Sequence, residues 1–73
     1  MSELELGLKL KEMYDNAQGK TNTFVLLFGI KYADEIKRNN LSVKEIVNSS
    51  GLPKSYIVPV NNGINLSKYV NIK

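Results

Sequence analysis

The sequence contains no cysteine and no histidine among its 73 residues. Those two absences exclude disulfides, zinc fingers, thiol nucleophiles and histidine general bases. The most apolar run, Phe24 to Ile30, is far too short to cross a bilayer, and no charged leader precedes a long apolar stretch. We therefore expect one small domain over residues 1–73, located in the cytoplasm and needing neither a cofactor nor a metal.

Acidic residues are scarce in the second half of the chain. Residues 1–36 carry six acidic residues and four lysines, whereas residues 37–73 carry six basic residues and Glu45 as the single acid. The net charge of +3 is thus concentrated at the C-terminal side. A local positive field is typical of proteins that contact phosphates, although solvated lysines that keep a small domain soluble explain it equally well.

The basic half contains the signals of a short helix followed by a tight bend. Ser42 and Glu45 have the spacing of a reciprocal capping box, which predicts that a helix begins near Val43. Gly51 can adopt the left-handed conformation that ends a helix, and the helix would then span about two turns. Pro53 cannot continue that helix, but it suits the first turn of a new one.

From Val43 to Val60 the sequence resembles the helix-turn-helix family of DNA-binding proteins. With Gly51 as the turn glycine, apolar residues occupy the positions that this family buries, namely Ile46, Leu52, Ile57 and Val60. Val47 departs from the pattern, because the family prefers a small residue there. Pro59 also departs, because a proline inside the second helix should kink or end it. The resemblance implies a DNA-binding module with a short recognition helix.

An N-terminal helix is predicted over residues 2–17. Its apolar residues settle into helical spacing, Ser2 can cap it, and acidic residues occupy its first turn. A short strand over residues 3–9 is the competing interpretation, because leucines alternate there.

A central helix is predicted over residues 23–38, capped by Thr21 or Asn22. It carries apolar residues on more than one side and should form the hub of the core. Gly29 lies in its middle, where it either admits the close approach of another element or marks a break.

The last region is predicted to contain a turn and a strand. Residues 61–63, Asn-Asn-Gly, form a turn signal, and residues 64–72 alternate between apolar and polar side chains. A last helix through residues 66–70 is the less favoured alternative. The predicted fold is therefore mainly α, a small three- to four-helix domain with a helix-turn-helix and a C-terminal β-strand or wing.

Several side chains are candidates for contact with DNA. Lys54 and Ser55 would begin the recognition helix, where side chains meet phosphates or base edges. Asn61 and Asn62 could read adenine, although asparagines before a glycine more often form turns. The remaining candidates are Tyr56, which could equally cover the core, and the basic residues Lys37, Arg38, Lys44 and Lys68 as phosphate contacts.

No enzyme is expected, because adjacent carboxylates such as Asp34 and Glu35 do not face each other on a helix. Three interpretations remain. The first is a DNA-binding protein or module with double-stranded DNA as its partner, and it would act in transcription regulation or in another DNA-associated role. Because one copy would bind weakly, we expect it to act as a homodimer. The second is a protein interaction module, an adaptor or inhibitor that uses an apolar corner or its last strand. The third is a purely structural helical domain.

Overall fold

The computed structural model describes residues 1–70, and within them four α-helices follow one another. These helices are α1 (Glu3–Asp15), α2 (Thr21–Arg38), α3 (Val43–Ser50) and α4 (Ile57–Leu66), and a 3-10 turn (Lys54–Tyr56) leads into α4. The mainly α fold with a helix-turn-helix is confirmed. None of the helices in this part of the chain has the length and apolar character needed to cross a bilayer.

Helix α1 begins with the capping box that its sequence predicts. The Ser2 hydroxyl accepts a hydrogen bond from the Glu5 amide, and the Glu5 carboxylate accepts one from the Ser2 amide, both at 3.1 Å. Helical geometry directs Leu6 and Leu10 inward and leaves Leu4 and Leu8 exposed. The alternative of a strand over residues 3–9 is wrong, because the alternating leucines divide between two sides of a helix.

Helix α2 forms the centre of the core, as predicted, but it begins earlier than its sequence suggests. Thr21 and Asn22 lie in its first turn, and Lys20 occupies the cap position without a side-chain hydrogen bond. The prediction that Thr21 or Asn22 caps the helix is therefore wrong. Phe28 is the largest fully buried side chain among residues 1–70. The buried apolar cluster comprises Leu6, Leu10, Val25, Phe28, Ala33, Ile36, Ile46, Val47, Leu52, Val60 and Ile64.

The helices pack chiefly as two pairs, α1 on α3 and α2 on α4, with glycine at both crossings. In the second pair Gly29 faces Gly63. A Cβ on Gly29 would collide with the carbonyl oxygen of Val60, and one on Gly63 would collide with that of Leu26. Because the obstacles are backbone atoms, a side chain could not be accommodated by a change of rotamer. Gly29 thus admits a close helix approach and does not break α2.

The chain after Val60 differs from its prediction. Residues 61–63 lie inside α4 and form no turn, and no strand occurs among residues 1–70. Helix α4 continues to Leu66, where the amides of Tyr69 and Val70 both donate to the Leu66 carbonyl. A last helix through residues 66–70 is likewise absent, because the chain turns after Leu66. Residues 71–73 lie outside the described part of the chain.

Tertiary packing explains this difference. Val60, Gly63 and Ile64 are all buried, and their spacing of three and four residues places them on one side of a helix, whereas a strand would direct Gly63 to the opposite side from Val60 and Ile64. A strand from Ile64 would need a partner strand, and residues 1–70 supply none.

The glycine crossing predicts a specific loss of stability. Replacement of Gly63 by alanine should lower the free energy of unfolding by about 2 kcal/mol, because overpacking against a backbone outweighs the better helix propensity of alanine. Thr23→Ala, at an exposed position of α2, is the matched control and should leave stability unchanged or slightly raised. Urea unfolding followed by circular dichroism measures both variants. A Gly63→Ala protein as stable as the parent would contradict the close approach.

Candidate nucleic-acid interface

Helix α3 begins at the predicted residue, and its N-terminal cap involves hydrogen bonds both within α3 and to α1. The Ser42 hydroxyl accepts a hydrogen bond from the Glu45 amide at 3.3 Å. The sequence predicts that the Ser42 amide donates to the Glu45 side chain, but in the structure this amide donates to the Glu3 carboxylate of α1 at 2.6 Å. This hydrogen bond joins residues 39 positions apart and connects the first turn of α1 to the cap of α3. The start of α3 is thereby fixed to α1.

The bend after α3 has the predicted left-handed glycine. Gly51 adopts φ +79° and ψ 5°, a region that other residues avoid, and its amide donates to the Asn48 carbonyl. The buried Ser50 side chain supports this bend from the inside: its hydroxyl donates to the Val47 carbonyl and accepts from the Leu52 amide. This role of Ser50 is not evident from the sequence.

The chain then enters α4 without the expected break. The Tyr56 amide donates to the Pro53 carbonyl at 3.1 Å and closes the 3-10 turn. Pro59 is the third residue of α4, in the first turn, where backbone amides have no partner within a helix. The prediction that the recognition helix is broken near Pro59 is therefore wrong, because the proline removes a donor that the helix does not use.

Helix α4 has two different sides. Val60, Gly63 and Ile64 are buried, and Ile57 is half-buried against the core. The opposite side is exposed and carries Val58, Asn61, Asn62 and Asn65. We use the name outer face of α4 for these four residues together with the exposed Lys54 and Ser55 of the preceding 3-10 turn. The outer face has no acidic residue, since the sequence contains none after Glu45.

Four of the predicted contact residues share this outer face, namely Lys54, Ser55, Asn61 and Asn62. Tyr56 does not belong to it. Its ring is half-buried and packs edge-to-face on the ring of Tyr14, with centroids 5.6 Å apart, so it covers the core. The neighbouring Tyr56 hydroxyl raises the pKa of Tyr14.

The other predicted basic contacts are exposed and lie on three separate elements. Lys37 and Arg38 occupy the last turn of α2, where positive side chains also favour the negative end of the helix dipole. Lys44 lies in the first turn of α3, and Lys68 follows the end of α4.

Val58 and Asn65 belong to the outer face and were missed by sequence analysis. The signal was present: Val58, Asn62 and Asn65 are separated by four and then three residues, the spacing of one helix side. This helical spacing was not recognised because Pro59 was predicted to end the helix and residues 61–63 were predicted to form a turn.

A family model described as an HTH-like domain matches residues 2–73. The match extends over all four helices, well beyond the region from Val43 to Val60 that carries the resemblance in the sequence. No curated protein and no solved structure matches the chain.

The left-handed bend predicts a graded response to substitution. A Cβ at Gly51 would meet no atom within 4 Å, so its cost is conformational. Gly51→Ala should therefore lower the free energy of unfolding by about 1 kcal/mol, and Gly51→Asn by less, because asparagine tolerates the left-handed region. Chemical denaturation compares the two variants with the parent. Equal stability of all three proteins would show that the bend does not depend on this conformation.

Proposed function

Because the chain belongs to the HTH-like domain family, we propose that it binds double-stranded DNA by placing the outer face of α4 in the major groove. The observation that carries the proposal is the position of this face. It follows the Gly51 bend, it is exposed along α4, and it carries no acidic residue. At the start of the 3-10 turn, Lys54 would contact a phosphate, and Ser55 would contact a phosphate or a base edge.

The dimensions of α4 suit this role. Its ten residues rise about 15 Å, since each residue adds about 1.5 Å, and the major groove is about 12 Å wide. An α-helix with its side chains is about 10–12 Å in diameter, so α4 fits into the groove and extends about 15 Å along it.

The charge distribution supports the same orientation. The described part after Glu45 contains Lys54 and Lys68, while the acidic residues lie on α1, α2 and α3. We assign Lys44, Lys68, Lys37 and Arg38 to phosphate contacts on either side of the groove.

A single copy with this modest charge would bind weakly, so the proposed active form has two copies on neighbouring half-sites. Transcription regulation is the proposed biological role, because occupancy of a paired site by a small protein controls access to the DNA around it. The complex should then contain two chains per duplex.

One observation favours a protein partner as the second candidate function. Leu4 and Leu8 of α1 are each 62% exposed and lie one turn apart, so α1 offers an apolar strip to an adaptor target or an inhibited protein. Strand addition, the other form of that alternative, has no strand to use among residues 1–70. The salt dependence of binding distinguishes the two functions. Affinity that depends on phosphate contacts falls steeply as ionic strength rises, whereas the affinity of an apolar interface does not.

Reversal of one charge on the outer face tests the proposed function. Lys54→Glu should abolish duplex binding while the circular dichroism spectrum and the stability remain unchanged, because Lys54 is exposed and outside the core. Lys54→Ala should retain weaker binding with a salt dependence reduced by about one phosphate contact. Fluorescence anisotropy with a labelled duplex at several salt concentrations measures these effects and the stoichiometry.

Lys9→Glu makes the same change on the exposed side of α1 and is the matched control. It should leave duplex affinity within about twofold of the parent, because it lies outside the proposed contact surface. If both reversals weakened binding equally, or if neither did, the outer face of α4 would not be the contact surface.

A further inference from the structure

We infer that the outer face of α4 selects A·T base pairs, with Val58 packing on a thymine methyl group and Asn62 hydrogen-bonding the edge of an adenine. This inference rests on the proposed function and names the base pairs that the same surface would read. Three observations carry it: an exposed valine, asparagines inside a helix, and the absence of charged residues from α4 itself.

Val58 is an apolar side chain surrounded by polar neighbours. It is 62% exposed, with Ser55, Asn61 and Asn62 around it on the outer face. The core gains little from this valine, since its inner-face neighbours Ile57 and Val60 provide the contacts with the core. A valine in a helix has one strongly preferred rotamer, so it presents its methyl groups without an ordering cost. The apolar group exposed in the major groove is the C5-methyl of thymine.

The asparagines of α4 have no role in a turn. As members of an Asn-Asn-Gly sequence, Asn61 and Asn62 are explained by turn formation, but the structure places them in the middle of a helix. Asparagine is a poor helix former, and three asparagines occur among the ten residues of α4. The fold therefore gains nothing from these amides. An exposed carboxamide that can donate and accept together matches the N6 and N7 atoms of adenine.

The residue types that read G·C pairs are missing from this segment. Guanine is read mostly by arginine or lysine, and cytosine by aspartate or glutamate. From Ser55 to Leu66 the sequence contains no charged residue at all. Lys54 precedes this segment at the start of the 3-10 turn, where a phosphate contact is proposed. The available chemistry thus fits adenine and thymine and offers nothing specific to guanine or cytosine.

The spacing of the two reading residues fits neighbouring base pairs. Val58 and Asn62 are four residues apart on the same side of α4, so their Cβ atoms are about 6 Å apart. Successive base pairs are stacked about 3.4 Å apart, and the two side chains therefore reach base pairs within about two steps of each other. Asn65 continues the row by one further turn.

Modified duplexes test the two contacts separately. The reference probe is a duplex that contains only A·T pairs, with adenine and thymine in mixed order on each strand. In a second duplex deoxyuridine replaces thymidine and removes the methyl group. In a third duplex 7-deazaadenine replaces adenine and removes the N7 acceptor. The parent protein should bind the deoxyuridine duplex about threefold to fivefold more weakly, as expected for the loss of one buried methyl. It should bind the 7-deazaadenine duplex at least about fivefold more weakly.

Variants identify the residues responsible. Val58→Ala should bind the thymidine and deoxyuridine duplexes equally, and Val58→Thr should retain part of the preference through its remaining methyl group. Asn62→Ala should lose the discrimination against 7-deazaadenine. Leu8→Ala, which removes an equally exposed apolar side chain from α1, and Asn22→Ala on α2 are the matched controls and should discriminate as the parent does.

The outcomes also separate this inference from the proposed function. Binding of all duplexes without discrimination, or discrimination that survives both Val58→Ala and Asn62→Ala, would overturn the base assignment and leave DNA binding intact. A preference for a G·C-only duplex would overturn it as well. Failure of the parent protein to bind any duplex would reject the proposed function, and the inference with it.

Discussion

The close backbone approach of α2 and α4 at Gly29 and Gly63 is the constraint on which the rest of the structure depends. It determines which side of α4 is buried, because the helices can meet this closely at a pair of residues that lack a Cβ. Val60 and Ile64 then enter the core, and the opposite side of α4 must face outward. The exposure of the outer face is thus a consequence of the packing on its reverse side.

The other helix pair fixes the direction from which the chain enters α4. Gly7 brings α1 against α3, and the Glu3 carboxylate holds the cap of α3 through the Ser42 amide. The left-handed Gly51 then turns the chain by a fixed geometry, supported by the buried hydroxyl of Ser50. Two packed pairs joined by a rigid bend therefore form a preorganised support for a surface helix, which reduces the cost of binding a rigid partner such as a duplex.

Local chemistry made part of this fold predictable. The Ser2 cap, the start of α3 after Ser42 and the bend at Gly51 depend on residues within a few positions of one another, and the sequence predicted all three correctly. The end of the chain was not predictable in this way. Gly63 belongs to a contact with α2 that is distant in sequence, so its local turn preference was misleading, and the helix around Pro59 was wrongly shortened. The candidate site shows the same division: Lys54 and Ser55 were recognised from their position after the bend, whereas Val58 and Asn65 became apparent once α4 was known to be continuous.

The most direct measurement of the central claim is a nuclear magnetic resonance titration of the labelled protein with a short duplex, following backbone amides and asparagine side-chain amides. The account predicts that the largest shift changes occur on the outer face of α4, at Lys54, Ser55, Val58 and the asparagine side chains, with smaller changes at the start of α3. The amides of α1 should remain nearly unchanged. Changes concentrated on α1, or no changes at all, would contradict the claim that the packing of α2 on α4 presents a DNA-binding surface.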